Sequence, residues 1–169
     1  MIYSLVHFPD IDPERINQIR RKYDPQFALI QPHITLMFPV PGSVGEDQLV
    51  RHLEATLRDR KPFPIHLQGL DKSEDDYLFL LVKEGNDAII DLHTRIYTGP
   101  LSNFKSRDLP YVPHVTLGVF RDTANEYKRA LEEAKRLDLD YSCAMDRLHL
   151  VAIDDQRTHV QSTREFILI

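Results

Sequence analysis

The sequence predicts an α+β fold of two mainly antiparallel sheets related by a pseudo-two-fold axis. Three observations predict it. Pro32-His33-Ile34-Thr35-Leu36 and Pro113-His114-Val115-Thr116-Leu117 nearly repeat each other, 81 residues apart in a chain of 169. Helix-like and strand-like periodicities alternate in the same order around each copy. No stretch between the copies is long or polar enough to be a linker, so residues 1–169 read as one domain made of two symmetric lobes.

Residues 2–7 alternate loosely as a first strand, closed by Pro9. Asp12 before Pro13 is a helix start, a capping side chain followed by proline at the first helical position, and the helix runs to about Lys22. The first His-x-Thr strand follows over 33–38, until Pro39-Val40-Pro41-Gly42 breaks it. Ser43 with Glu46 has the form of a capping box and opens a helix to about Arg60. Two strands, 63–70 and 77–82, flank an acidic turn at Asp71–Asp76. A helix over 86–97 carries Ile89, Ile90, Leu92 and Ile96 and stops at Gly99-Pro100. A loop of Pro, Ser, Asn and basic residues spans 100–112, and the second His-x-Thr strand covers 114–120. Thr123 with Glu126 opens a helix to about Leu137, and strands at 146–153 and 162–168 complete the chain. In this order the strand at 2–7 plays for the first half the part that the strand at 77–82 plays for the second.

On an extended strand, residues i and i+2 share a face. Each motif therefore displays one imidazole beside one hydroxyl, while Ile34/Leu36 and Val115/Leu117 point the other way, into a core. An unperturbed imidazole titrates near pH ~6.5, so two rings flanking one phosphodiester can divide the work. One takes a proton from the attacking oxygen, and the other protonates the leaving oxygen. Threonine hydroxyls donate to the non-bridging phosphate oxygens, positioning the phosphorus and stabilising developing charge. This scheme needs no metal and no cofactor. Metal-binding patterns are also poorly represented: there is no His-Glu-x-x-His, no Cys/His pair and no Asp-x-Asp run beside a histidine. One His-x-Thr in a strand is an ordinary histidine in most settings; two copies in matching contexts point to a shared site.

These motifs, His33/Thr35 and His114/Thr116, resemble those of the two-histidine (2H) phosphoesterase superfamily, the 2′-5′ RNA ligase-like and cyclic nucleotide phosphodiesterase proteins. Tyr3-Ser4-Leu5-Val6, Tyr23-Asp24-Pro25, Tyr97-Thr98-Gly99 and Asp146-Arg147-Leu148-His149-Leu150 are similar to a bacterial subfamily of small 2′-5′ RNA ligase-like proteins. The resemblance implies a bilobal fold of duplicated β-α-β units around a central cleft. It implies metal-independent cleavage or ligation of phosphodiesters next to a ribose hydroxyl, often 2′,3′-cyclic phosphates. It makes His33 and His114 the acid–base pair and Thr35 and Thr116 the phosphate binders.

Composition narrows the partners. The formal net charge is −5, which disfavours long polyanions unless basic groups cluster, with Lys105, Arg107, Arg121, Arg147, Arg157 and Arg164 as candidates. A small nucleotide, a cyclic phosphate or an RNA end is the expected ligand. Aromatic faces hold bases without sequence preference, and Tyr77, Tyr111 and Phe120 are the candidates, although each also fits a core. Phe120 shares the face of His114 if the strand is unbroken. His7 on the first strand is a further candidate to face the cleft. His52, His66, His93, His149 and His159 lack a repeated context, and Cys143, the single cysteine, reads as a small buried residue. No segment approaches the roughly 20 apolar residues that span a bilayer. With one cysteine and no basic leader at Met1–Phe8, a soluble cytoplasmic protein is expected, with no membrane partner. The competing reading is a nucleotide or RNA-end binding module with the same cleft and little turnover. A third reading makes the repeat a mere record of duplication.

Overall fold

The computed structural model describes residues 1–73, 76–105, 110–121 and 124–169. Eight strands and four α-helices follow in the order β1 (Ile2–His7), α1 (Glu14–Tyr23), β2 (Ile34–Pro41), α2 (Glu46–Leu57), β3 (Phe63–Lys72), β4 (Tyr77–Glu84), α3 (Asn86–Ile96), β5 (His114–Val119), α4 (Ala124–Arg136), β6 (Asp140–Met145), β7 (Arg147–Ile153) and β8 (Val160–Ile167). All pairings are antiparallel, so the α+β class holds. The expectation of two sheets does not. One eight-stranded sheet runs β6-β3-β4-β5-β2-β1-β7-β8. Its two halves meet at β5 and β2 through one registered pair, Ile34 opposite Val115. The strand order is symmetric about that junction. β1 lies beside the first motif strand as β4 lies beside the second, which is the equivalence the sequence suggested.

The helices lock the halves together. α1 packs against β5, and α3 packs against β2, so each helix between a half's first two strands covers the other half's motif strand. Ile16 and Ile19 of α1, Ile89 and Ile96 of α3, Leu36 of β2 and Leu117 of β5 are all buried in one continuous core. Each such side chain contributes roughly 1.5–3 kcal/mol by leaving water. The predicted alternation is present, with Ile34, Leu36, Val115 and Leu117 fully buried and His33, Thr35, His114 and Thr116 half-buried on the opposite face.

Local expectations change in several places, the first being that β2 runs on through Pro39-Val40 to Pro41, paired with Ile2 and Tyr3 of β1, instead of breaking at Pro39. The Ser43/Glu46 capping box does not form: Gly42–Val44 makes a short 3₁₀ turn, and Gly45 at φ 84° enters α2. β6 was not anticipated, because Asp140-Tyr-Ser-Cys-Ala-Met has few β-branched residues and only a faint alternation; it is an edge strand paired to β3 alone. Three strands therefore follow α4, and the repeat of element order is not exact. The Asp12 side chain does accept the Glu14 backbone N–H at 3.1 Å, but α1 starts at Glu14 with Pro13 at the cap position, one residue later than expected. Thr123, Arg107 and part of the acidic turn at 71–76 lie outside the described residues. Among the described residues no helix is long and apolar enough to cross a membrane.

Candidate active site

Both motif histidines are held in the same way. Nδ1 of His33 lies 2.8 Å from the Gln31 carbonyl, and Nδ1 of His114 lies 2.6 Å from the Val112 carbonyl. A carbonyl only accepts, so each Nδ1 carries the proton and each Nε2 faces away from its own backbone with a free lone pair. The proline before each histidine supports this geometry. Pro32 and Pro113 bias the preceding residue toward extended backbone, and it is that residue's carbonyl that meets the ring. The repeated proline therefore has a mechanical role.

The Ile34–Val115 pair sets His33/Thr35 and His114/Thr116 on the same face of neighbouring strands, one register step to either side of the junction. Neither threonine hydroxyl is hydrogen-bonded to another described residue, which leaves both open to a ligand. Burial pushes the His114 imidazole down to about 4, and the nearby charge of His33 pushes the same way, against the Val112 hydrogen bond. Burial also lowers His33, helped by the Arg20 guanidinium and opposed by the Gln31 carbonyl and Asp24. Without a ligand both rings are neutral at pH 7.

The surroundings of the two rings differ. Phe79 of β4 stacks on His114 with ring centroids 3.4 Å apart and planes 17° apart. Tyr77, two residues away on β4, extends this aromatic track with its ring 6.1 Å from that of Phe79. His33 meets only the edge of Phe8, at 6.3 Å. Phe8 and Phe79 were missed by sequence reasoning. Phe79 was legible as the i+2 neighbour of Tyr77 on one strand face; Phe8 lies just past the end of β1 and had no such signal.

The remaining candidates scatter. Phe120 does not share the His114 face. β4 steps from Leu78 to Phe79 while β5 steps from Gly118 to Thr116, and this bulge turns both Leu117 and Gly118 inward. The phase flips, and Phe120, 3% exposed, enters the core between Tyr23 and Tyr127. Tyr111 sits beside the first motif, but as a brace: its hydroxyl donates to the Thr35 carbonyl at 2.8 Å and its ring stacks on His93 at 3.7 Å. His7 is 1% exposed and lies on the core side, opposite Ile34, with Nδ1 donating to the Arg147 carbonyl. It does not face the cleft. Of the basic candidates, Arg147 is engaged by Asp146 and Glu165, and Arg164 lies on the face of β8 opposite Thr163 and Glu165.

One supporting residue carried no sequence signal. Arg20, 1% exposed, donates to Asp24 at 2.8 Å and to the Ile30 carbonyl at 2.7 Å, tying α1 to the segment that enters the first motif. Beside His33, Phe8 and Gln31 open onto a cavity of about 670 Å³ that extends across β7 and β8.

Two motif strands join at the centre of a symmetric antiparallel sheet, each with a carbonyl-held imidazole. The model of the 2′-5′ RNA ligase superfamily matches residues 8–157, and the chain belongs to that family. Among its relatives is a Bacillus licheniformis protein named "Putative phosphoesterase", 30% identical over 156 residues that cover 89% of each chain. The fold is shared with E. coli LigT: the complex with NADP+ superposes with a TM-score of 0.61 at 17% identity, covering 99% of this chain and 96% of that one. The LigT complex with 3′-AMP gives a TM-score of 0.55 at 18% identity, covering 99% of this chain and 94% of that one.

Proposed function

We propose that this chain is a phosphodiesterase that opens 2′,3′-cyclic phosphates, or cleaves 2′-5′ linkages at nucleotide and RNA ends, by two-histidine acid–base catalysis. One observation carries the reading: two imidazoles on adjacent strands, each locked by a backbone carbonyl so that Nε2 is the reactive nitrogen. The names of its relatives and the nucleotides held by LigT agree with it. The half-sheets on either side of the β5–β2 junction are the two lobes of one domain, with the substrate cleft across the junction.

In hydrolysis, Nε2 of one ring removes a proton from water as its oxygen bonds to phosphorus. The bond to a ribose oxygen breaks, and Nε2–H of the other ring protonates that oxygen. Thr35 and Thr116 hold the non-bridging oxygens. The free rings are both neutral, so one must gain a proton; an arriving phosphate anion raises the affinity of the nearer ring for it. Two rings account for both proton transfers, and the scheme invokes no metal.

The test is turnover of 2′,3′-cyclic nucleotides and 2′-5′-linked dinucleotides by the wild-type protein in EDTA. Formation of the ring-opened monoester, with a proton taken up on ligand binding at pH 7, is expected. Tight binding with no product across both substrate classes would favour a sensor and overturn the proposal.

A further inference from the structure

The cavity beside His33 is lined by Leu29, Ile30, Val151 and Val160 together with charged side chains. Its volume, about 670 Å³, is in the range of small-molecule sites. Phe8 forms the wall shared with the motif: its ring meets the edge of His33 on one side and lies 4.9 Å from His149 on the other. The polar lining holds three carboxylates, Asp10, Asp146 and Glu165, against one guanidinium. Arg147 is already spent on two of them, donating to Asp146 at 3.0 Å and Glu165 at 3.1 Å. Burial keeps His149 neutral, so it adds no positive charge. A second phosphate would meet an excess of negative charge here, whereas hydroxyl and amino donors would meet acceptors.

We infer that this cavity is the nucleoside subsite: it takes the base and ribose of a nucleotide bearing a single phosphate, which lies between His33 and His114. The inference rests on the reading of the two histidines given above and deepens it. Apolar side chains and Phe8 cover the base, and the carboxylates accept from ribose hydroxyls or exocyclic amines. An orientation follows. With the nucleoside on the His33 side, the departing ribose oxygen is nearest His33, and water attacks in line from the His114 side. His33 is then the general acid and His114 the general base. The ring stacked under Phe79 is the one kept free to accept a proton.

The subsite is tested by equilibrium binding, which does not depend on turnover. Calorimetric titration of wild type and Thr163→Trp with 3′-AMP, inorganic phosphate and adenosine 3′,5′-bisphosphate separates the contributions. Thr163 lines the cavity from the exposed strand β8. The expected result is 3′-AMP affinity at least about tenfold weaker in the variant, with a much smaller change for phosphate and the bisphosphate weaker than 3′-AMP in wild type. Equal 3′-AMP affinities in the two proteins, or tighter binding of the bisphosphate, would overturn the subsite even if cyclic nucleotides are turned over. Loss of 3′-AMP affinity in a protein that turns over nothing would keep the subsite and sink the enzyme reading. Should the tryptophan variant misfold, Val160→Trp fills the same cavity from the same strand. The orientation has its own check. A diester with sulfur in place of the leaving ribose oxygen needs no protonation, so it should rescue His33→Ala and not His114→Ala; the opposite pattern reverses the assignment.

Discussion

Replacing Arg20 with methionine should cost far more than the loss of a surface charge. Its guanidinium is buried and makes three contacts, to Asp24 at 2.8 Å, to the Ile30 carbonyl at 2.7 Å and to Asn17 at 3.4 Å. Methionine keeps much of the aliphatic bulk but leaves Asp24, itself buried, as a carboxylate with no countercharge. Breaking a buried pair in this way costs about 3–5 kcal/mol. The freed Ile30 carbonyl adds about 1 kcal/mol at most, because loop water can reach it. For a chain of this size each kcal/mol moves Tm by roughly 2–4 °C, so a fall of roughly 6–24 °C is expected. Urea and thermal unfolding at pH 7 measure it. Adding Asp24→Leu to Arg20→Met removes the stranded charge and should return a large part of the loss. A cost below about 1 kcal/mol for Arg20→Met alone, or a double variant less stable than the single one, would refute a buried charge pair at this position.

Other predictions follow from the same geometry. His114 is held well below its unfolded value, so the unfolded chain binds a proton that the folded chain refuses as pH falls from ~6.5 toward 4; stability contributed by this group is complete above that window and lost within it, by at most about 3 kcal/mol. Denaturant titrations at pH 7 and 4.5 should show His114→Gln losing less stability over that interval than wild type, and equal losses would contradict the assignment. Phe79→Ala uncovers one face of the His114 ring, and the imidazole followed by NMR should titrate higher; an unmoved value would show that the stacked ring is not what shields it. Gly118→Ala would place a Cβ 2.7 Å from both Phe120 and Tyr23 in a filled core, for an expected cost of about 1–3 kcal/mol; an unchanged urea midpoint would mean the bulge relaxes freely. Tyr111→Phe removes the donor to the Thr35 carbonyl, and a loss of about 1 kcal/mol with a lower kcat is expected; unchanged kinetics would make the brace purely structural.

The chemistry was more legible in the sequence than its surroundings. Period-two alternation placed His33 with Thr35, and His114 with Thr116, on one face of each strand because strand geometry leaves no other choice. The same alternation misplaced Phe120, since a bulge between Thr116 and Gly118 is a property of pairing with β4 and leaves no local mark beyond one glycine. Sheet continuity was hidden for a related reason. Ile34 and Val115 are 81 residues apart, and nothing in either segment says that the two motif strands pair with each other. Arg20 and Asp24 have the i,i+4 spacing common on exposed helix faces, and only the fold buries them. The cavity lies across the segment after β1, β7, β8 and the approach to β2, so no single stretch of chain could announce it.

The central claim is that His33 and His114 act as one catalytic unit across the β5–β2 junction. A double-mutant cycle on kcat for a 2′,3′-cyclic nucleotide tests it most directly, with circular dichroism confirming that each variant folds. Each single alanine should lower kcat by orders of magnitude, and the double variant should be little slower than either single one, because a base without its acid completes no turnover. Losses that simply multiply, or a single variant that retains near wild-type kcat, would contradict the account.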